Sequence, residues 1–111
     1  VLLKNDGDIL PLAPSPLAVI GRFAEEPRYQ GGGSSHVNPT RVDIPLDEIR
    51  SLAGDQPVSY SPGTDVAAAA AAAETAKSAI VFLGLTAEEE SEGYDREHID
   101  YPRNNSTCCA P

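Results

Sequence analysis

The sequence predicts an α/β fold, a partial three-layer sandwich built around a mostly parallel sheet. Three observations carry that prediction. Two short apolar runs, Leu17-Ala18-Val19-Ile20-Gly21 and Ala79-Ile80-Val81-Phe82-Leu83-Gly84-Leu85, lack the alternation of a half-exposed strand and read as strands buried on both faces. A block of seven alanines, Ala67 to Ala73, has the highest helix propensity available and leads straight into the second run. Strand, helix, strand, helix, strand in alternation then calls for right-handed crossovers and parallel pairing.

Taken in order, residues 1–16 read as an extended linker entering the domain. They hold a turn at Asn5-Asp6-Gly7 and three prolines, Pro11, Pro14 and Pro16. The first strand follows at Leu17 to Gly21. A long irregular segment, Arg22 to Pro45, carries Gly31-Gly32-Gly33-Ser34-Ser35-His36, and loops longer than about 12 to 15 residues are usually functional or disordered. Leu46 to Ala53 reads as a brief helix, with Pro45 suited to its first turn and Gly54 to its stop. Val58-Ser59-Tyr60 forms a second strand closed by Ser61-Pro62-Gly63. Thr64 or Asp65 caps a helix that runs to about Lys77, and Ala79 to Leu85 is the third strand. The domain is expected over 17–102, with an unrelated polar tail over 103–111. Three short strands leave apolar edges open, which predicts marginal stability or association.

A chain of 111 residues fits one small domain with a modest core. Its formal net charge of -9, with only eight scattered Lys and Arg, excludes a nucleic-acid partner and disfavours an anionic membrane surface. No apolar run approaches the roughly 18 residues of a membrane span. The start, Val1-Leu2-Leu3-Lys4-Asn5, lacks both the layout of a secretory signal and an initiator Met, so the chain reads as cut from a longer polypeptide. Cys108 and Cys109 are adjacent, which excludes a disulfide framework and does not match the spacing of metal ligands. Asn104 and Asn105 lie in glycosylation-type triplets that matter only in a secreted protein.

In parallel α/β sheets, ligands gather at the carboxyl ends of the strands, and two features of this sequence fall there. The first is the loop Tyr29 to His36. Its glycines permit close backbone approach, while Ser34, Ser35 and His36 offer hydrogen bonds. It lacks the Gly-Lys-Ser/Thr ending of a phosphate cradle, which leaves a plain connector or a polar rim around a neutral ligand. His36 alone reads as a surface histidine. The second feature is Glu88-Glu89-Glu90-Ser91-Glu92-Gly93-Tyr94-Asp95-Arg96, which places five carboxylates within eight positions. It marks either a solvated loop or a site that needs one unusual acid. A metal site would use Glu88, Glu90, Glu92 and Asp95, but their spacing does not match a calcium loop. Glu92 stands out because Gly93 allows a sharp bend that projects it, and Asp95 paired with Arg96 would stiffen the turn.

Lys4-Asn5-Asp6-Gly7 with Ile9-Leu10-Pro11-Leu12, Ala18-Val19-Ile20-Gly21, Tyr29 to Ser35, and Ser91-Glu92-Gly93-Tyr94-Asp95-Arg96 occur in that order. Together they resemble the C-terminal α/β sandwich domain of glycoside hydrolase family 3, whose best-known members are β-glucosidases. The match runs over about residues 1–102. It implies a flavodoxin-like sheet and a retaining exo-acting β-glycosidase whose active site is shared by two domains. An N-terminal barrel, missing here, would supply the aspartate nucleophile, and Glu92 would be the general acid/base. Gly32, Gly33, Ser34 and Ser35 would shape the aglycone side for a β-glucoside or oligosaccharide substrate. Such an acid must titrate near about 6 to 7 to hold a proton at neutral pH, and crowded carboxylates push it that way. No metal or organic cofactor is required. Two other readings of the residues remain open: a carbohydrate-binding module without chemistry, and a flavodoxin-like regulatory domain that binds an anion at Ser34-Ser35.

Overall fold

A computed structural model describes residues 1–93 and 95–100 of the chain. The tail expected over 103–111, with its cysteine pair and glycosylation triplets, lies outside the described residues. Three strands, β1 (Leu17–Ile20), β2 (Val58–Ser61) and β3 (Ser78–Val81), form one all-parallel sheet in the order β2-β1-β3. Two helices, α1 (Pro45–Ala53) and α2 (Val66–Glu74), make the crossovers, so the α/β class predicted from alternation is the fold observed.

The register shows what each face of the sheet buries. Val19 of β1 lies opposite Tyr60 on one side and Ile80 on the other, and Leu17 lies opposite Val58. Side chains alternate along a strand, so these residues share one face. There Val19, fully buried, joins Ala24 and Leu46 in a core that Ile44, Ile49, Val58, Tyr60 and Phe82 surround. Leu46 and Ile49 are three residues apart on α1, which puts both on the side of the helix that meets the sheet. The opposite face carries Ala18, Ile20, Ser59 and Ser61 and is covered by α2, where Ala69 is buried. The Ser59 hydroxyl donates to the Ala72 carbonyl at 3.0 Å, a bond that small alanine side chains allow by letting the helix come close. The helices therefore lie on opposite faces, giving three layers.

Both helix starts follow from local chemistry. Pro45 occupies the first turn of α1, where its missing N–H costs nothing. The Asp65 carboxylate caps α2 by accepting from the Ala67 and Ala68 amides at 2.9 and 3.2 Å. Two elements end earlier than propensity predicts. Helix α2 stops at Glu74 rather than near Lys77, because the Lys77 amide donates to the Pro16 carbonyl at 2.9 Å and ties the chain to the entry of β1. Strand β3 stops at Val81 rather than Leu85. Its only partner among the described residues, β1, ends at Ile20, and the Phe82 amide makes the last bond across, to the Ile20 carbonyl at 2.8 Å. Along β3, Ala79 and Val81 share the α2 face but remain exposed, because α2 packs over β1 and β2. No helix among the described residues is long and apolar enough to cross a membrane.

Candidate active site

With β1 central, the chain leaves it through α1 on one face and reaches β3 through α2 on the other. The connections diverge between β1 and β3, and a crevice opens at the carboxyl ends of those two strands. The segments that follow them, 22–44 after β1 and 82–100 after β3, hold the glycine loop and the acidic run.

The acidic run begins as a closed turn. The Glu89 and Glu90 amides donate to the Thr86 carbonyl at 3.2 and 3.1 Å, and the Thr86 amide donates to the Glu89 carboxylate at 2.8 Å. Glu88 joins the same turn: its own backbone N–H, followed by the Thr86 hydroxyl, holds its carboxyl below the usual glutamate value. Glu90 is paired with Arg28, which reaches across from the other loop. Arg28 Nη1 donates to the Glu90 carboxylate at 2.7 Å and to the Leu85 carbonyl at 2.9 Å, and Nη2 donates to the Glu90 carbonyl at 2.9 Å. Three of the five carboxylates are thus structural.

Glu92 is placed differently. Its side chain is exposed and has no hydrogen-bond or ion-pair partner among the described residues, yet it lies directly against the glycine loop. A β-carbon added at Gly33 would collide with its carboxylate oxygen and lie 2.6 Å from Cδ. One added at Gly32 would meet the Glu92 amide nitrogen at 2.8 Å and Ser91 Oγ at 3.1 Å. Gly33 also has φ +67°, a conformation other residues adopt only under strain. Gly32 therefore needs glycine for the two backbones to touch, and a side chain at residue 33 would displace the Glu92 carboxyl. The glycine loop is held from within: the Gln30 side-chain amide accepts from the Val37 amide at 2.6 Å and donates to the Tyr29 hydroxyl at 3.1 Å, while Ser35 Oγ donates to the Gly32 carbonyl at 3.1 Å. Between the loops is a polar cavity of about 490 Å³, walled by Arg28, Gln30 and Gly32 on one side and Glu90, Ser91 and Glu92 on the other.

The structure thus brings Gly32 and Gly33 against Glu92. Ser34 and Ser35 lie on an exposed 3-10 turn beside that contact and do not line the cavity, and His36 is exposed. The expected Asp95–Arg96 pair does not form. Side chains of consecutive residues outside a helix diverge, and Arg96 Nη2 instead donates to the Asp100 carbonyl at 3.2 Å. Among the described residues, no cluster of His, Cys, Asp or Glu could hold a metal ion. Sequence reasoning missed Arg28. A signal was present, since Arg28 is the only Lys or Arg between Arg22 and Arg41, in a chain with 17 acids and 8 bases.

A family model described as the glycosyl hydrolase family 3 C-terminal domain matches residues 1–110. The chain is 44% identical over 118 residues to thermostable beta-glucosidase B of Acetivibrio thermocellus, a match covering 96% of this chain and 16% of that protein. It is 43% identical over 129 residues to an exo-alpha-(1->6)-L-arabinopyranosidase of Bifidobacterium breve, again covering 96% and 16%. A probable exo-1,4-beta-xylosidase of Aspergillus clavatus is 35% identical over 112 residues, covering 94% of this chain and 14% of that protein. The chain thus spans about one sixth of the length of these relatives. With the family model running from its first residue to its penultimate one, the chain belongs to glycosyl hydrolase family 3, a family of glycosidases, and corresponds to that family's C-terminal domain.

Proposed function

We propose that this chain is part of a retaining exo-β-glycosidase of the β-glucosidase type and supplies its general acid/base, Glu92. The observation that carries the reading is the distribution of work within the acidic run. Glu88, Glu89 and Glu90 are engaged in the turn, whereas Glu92 has no hydrogen-bond or ion-pair partner among the described residues and lies at the crevice between β1 and β3, against the glycine loop and beside the polar cavity. The similarity to a beta-glucosidase and to a probable exo-1,4-beta-xylosidase supports the reaction class.

In the first half-reaction the protonated Glu92 carboxyl gives its proton to the glycosidic oxygen of a terminal β-glucosyl residue. An aspartate attacks the anomeric carbon, the bond to the aglycone breaks, and a glycosyl-enzyme ester forms. In the second, the Glu92 carboxylate takes a proton from water as its oxygen attacks the same carbon, and the aspartate leaves. This chemistry needs the two carboxyl groups about 5 to 5.5 Å apart. In this reading the aspartate comes from an N-terminal barrel of a longer protein, and Gly32, Gly33, Ser34 and Ser35 shape the aglycone side. The reaction requires no metal or organic cofactor.

The test is hydrolysis of a chromogenic β-glucoside by the full-length parent protein, wild type against Glu92→Ala, with and without azide. Glycosyl-enzyme breakdown should fall steeply in the variant and be restored by azide, with a β-glucosyl azide as product, because a small anion needs no general base. Near-normal turnover in the variant would remove Glu92 from the chemistry. An inactive wild type would favour a carbohydrate-binding role.

A further inference from the structure

Arg28 makes more hydrogen bonds than any other cationic side chain among the described residues, and it makes them at an unusual place. The other ion pairs of the described residues (Lys4–Asp6, Arg22–Glu26, Arg41–Asp43 and Arg50–Asp47) join neighbours on one stretch of chain and are well exposed, so they add little. Arg28–Glu90 instead crosses from the loop after β1 to the loop after β3, and the Arg28 side chain is only 22% exposed. On one side of it is the polar cavity beside Glu92. On the other is a less polar hollow of about 510 Å³, bordered by Phe23, Pro45, Phe82 and Leu85, which lowers solvent screening around the guanidinium.

We propose that Arg28 is a positioning residue for the acid/base, its guanidinium fixing the distance and orientation of the Glu92 segment relative to the glycine loop. The proposal rests on the reading of Glu92 given above. Its geometric basis is that the three acceptors of Arg28 bracket the closed turn: Leu85 precedes the turn and Glu90 ends it, and both of their carbonyls bond to one planar group. Only Ser91 separates Glu90 from Glu92. On its own loop, Arg28 lies two residues before Gln30, whose amide closes the glycine loop through Val37. One side chain therefore couples both walls of the site. A lysine has the charge but not the planar fork, so it cannot hold both carbonyls and the Glu90 carboxylate together. Because two of the three acceptors are carbonyls, the fastening outlasts removal of the Glu90 charge.

The experiment compares kcat/KM for two β-glucosides of the full-length parent enzyme, one with an alkoxide leaving group that needs a proton and one with 2,4-dinitrophenolate that does not. Rates are normalised to sites titrated with a 2-deoxy-2-fluoroglucoside inactivator, so loss of folded protein does not imitate the effect. Arg28→Ala should lose about 10²-fold on the alkyl glucoside, the cost of a group displaced by about 1 Å, and only severalfold on the dinitrophenyl glucoside. Arg28→Lys should show the same imbalance at smaller size. Losses that are equal for the two substrates in Arg28→Lys, or absent, would overturn the proposal, as would full rescue by lysine. Glu92→Gln serves as the reference. If it shows the imbalance and the Arg28 variants do not, positioning by Arg28 fails while the acid/base reading stands. If Glu92→Gln itself shows none, the acid/base reading fails first.

Discussion

Replacing Gly33 with alanine should move the proposed acid while leaving the sheet untouched. The backbone there has φ +67°, which costs an alanine about 1 to 2 kcal/mol. The larger effect is steric. The new methyl would lie 2.6 Å from Cδ of Glu92 and 3.2 Å from its Cβ, so the carboxyl has to retreat by about 1 Å to reach an ordinary carbon–carbon contact of about 3.5 to 4.0 Å. A displacement of about 1 Å in a reacting group costs about 10²-fold in rate. In the full-length parent enzyme, kcat/KM for an alkyl β-glucoside should therefore fall about 10²-fold. The thermal midpoint should fall only by what this φ strain costs, and by the same amount as in Gly7→Ala, because residue 33 is outside the core around Val19 and Leu46. Gly7→Ala is the control: its φ of +65° gives the same strain, but nothing lies within 4 Å, so activity should be retained. Wild-type kcat/KM in Gly33→Ala would refute the reasoning.

Leu46→Ala removes the largest fully buried side chain and should destabilise the domain by about 2 to 5 kcal/mol, read from denaturant unfolding of the variant chain. Asp65→Ala deletes the cap of α2 and should cost about 1 kcal/mol in the same assay, with Asp65→Asn recovering most of it. Tyr60 gives a pH signature. Burial first, and then the nearby Glu25 carboxylate, raises its phenol above 10.0 in the folded state. The folded protein therefore keeps that proton longer than the unfolded chain. The associated stability is complete below the unfolded value of about 10 and is lost as pH rises through the folded one. Ultraviolet titration should show a late-ionising tyrosine, and Tyr60→Phe should flatten the alkaline part of the stability curve.

The elements were legible in the sequence where local chemistry decides them. Two apolar runs and Val58-Ser59-Tyr60 became strands, Pro45 and Asp65 marked helix starts, and the alanine block became α2. Their far ends were not legible, because neighbours decide those. The length of β3 is limited by β1, and α2 gives up its last turn so that Lys77 can bond to Pro16. The site divides in the same way. Ser91-Glu92-Gly93 and the glycine loop could each be found as a motif, but their contact depends on β1 lying next to β3, and no local pattern encodes that adjacency. Arg28 was missed for a related reason. Its value lies in acceptors 57 and 62 residues away, whereas its immediate neighbours only describe a loop.

The central position of β1 also bears on how the chain must be made. It pairs on one side with β2 and on the other with β3, whose last residue, Val81, follows Ile20 by 61 positions. At a synthesis rate of about 5 to 20 residues per second, the β3 side of β1 waits about 3 to 12 s for its partner. During that interval the most apolar strand of the nascent domain has an open row of backbone donors and acceptors, the kind of edge that recruits other chains. The crevice does not yet exist, since one of its walls is still being translated. Slowing elongation over the stretch that encodes residues 61–81 should therefore lower the soluble yield without changing a single residue.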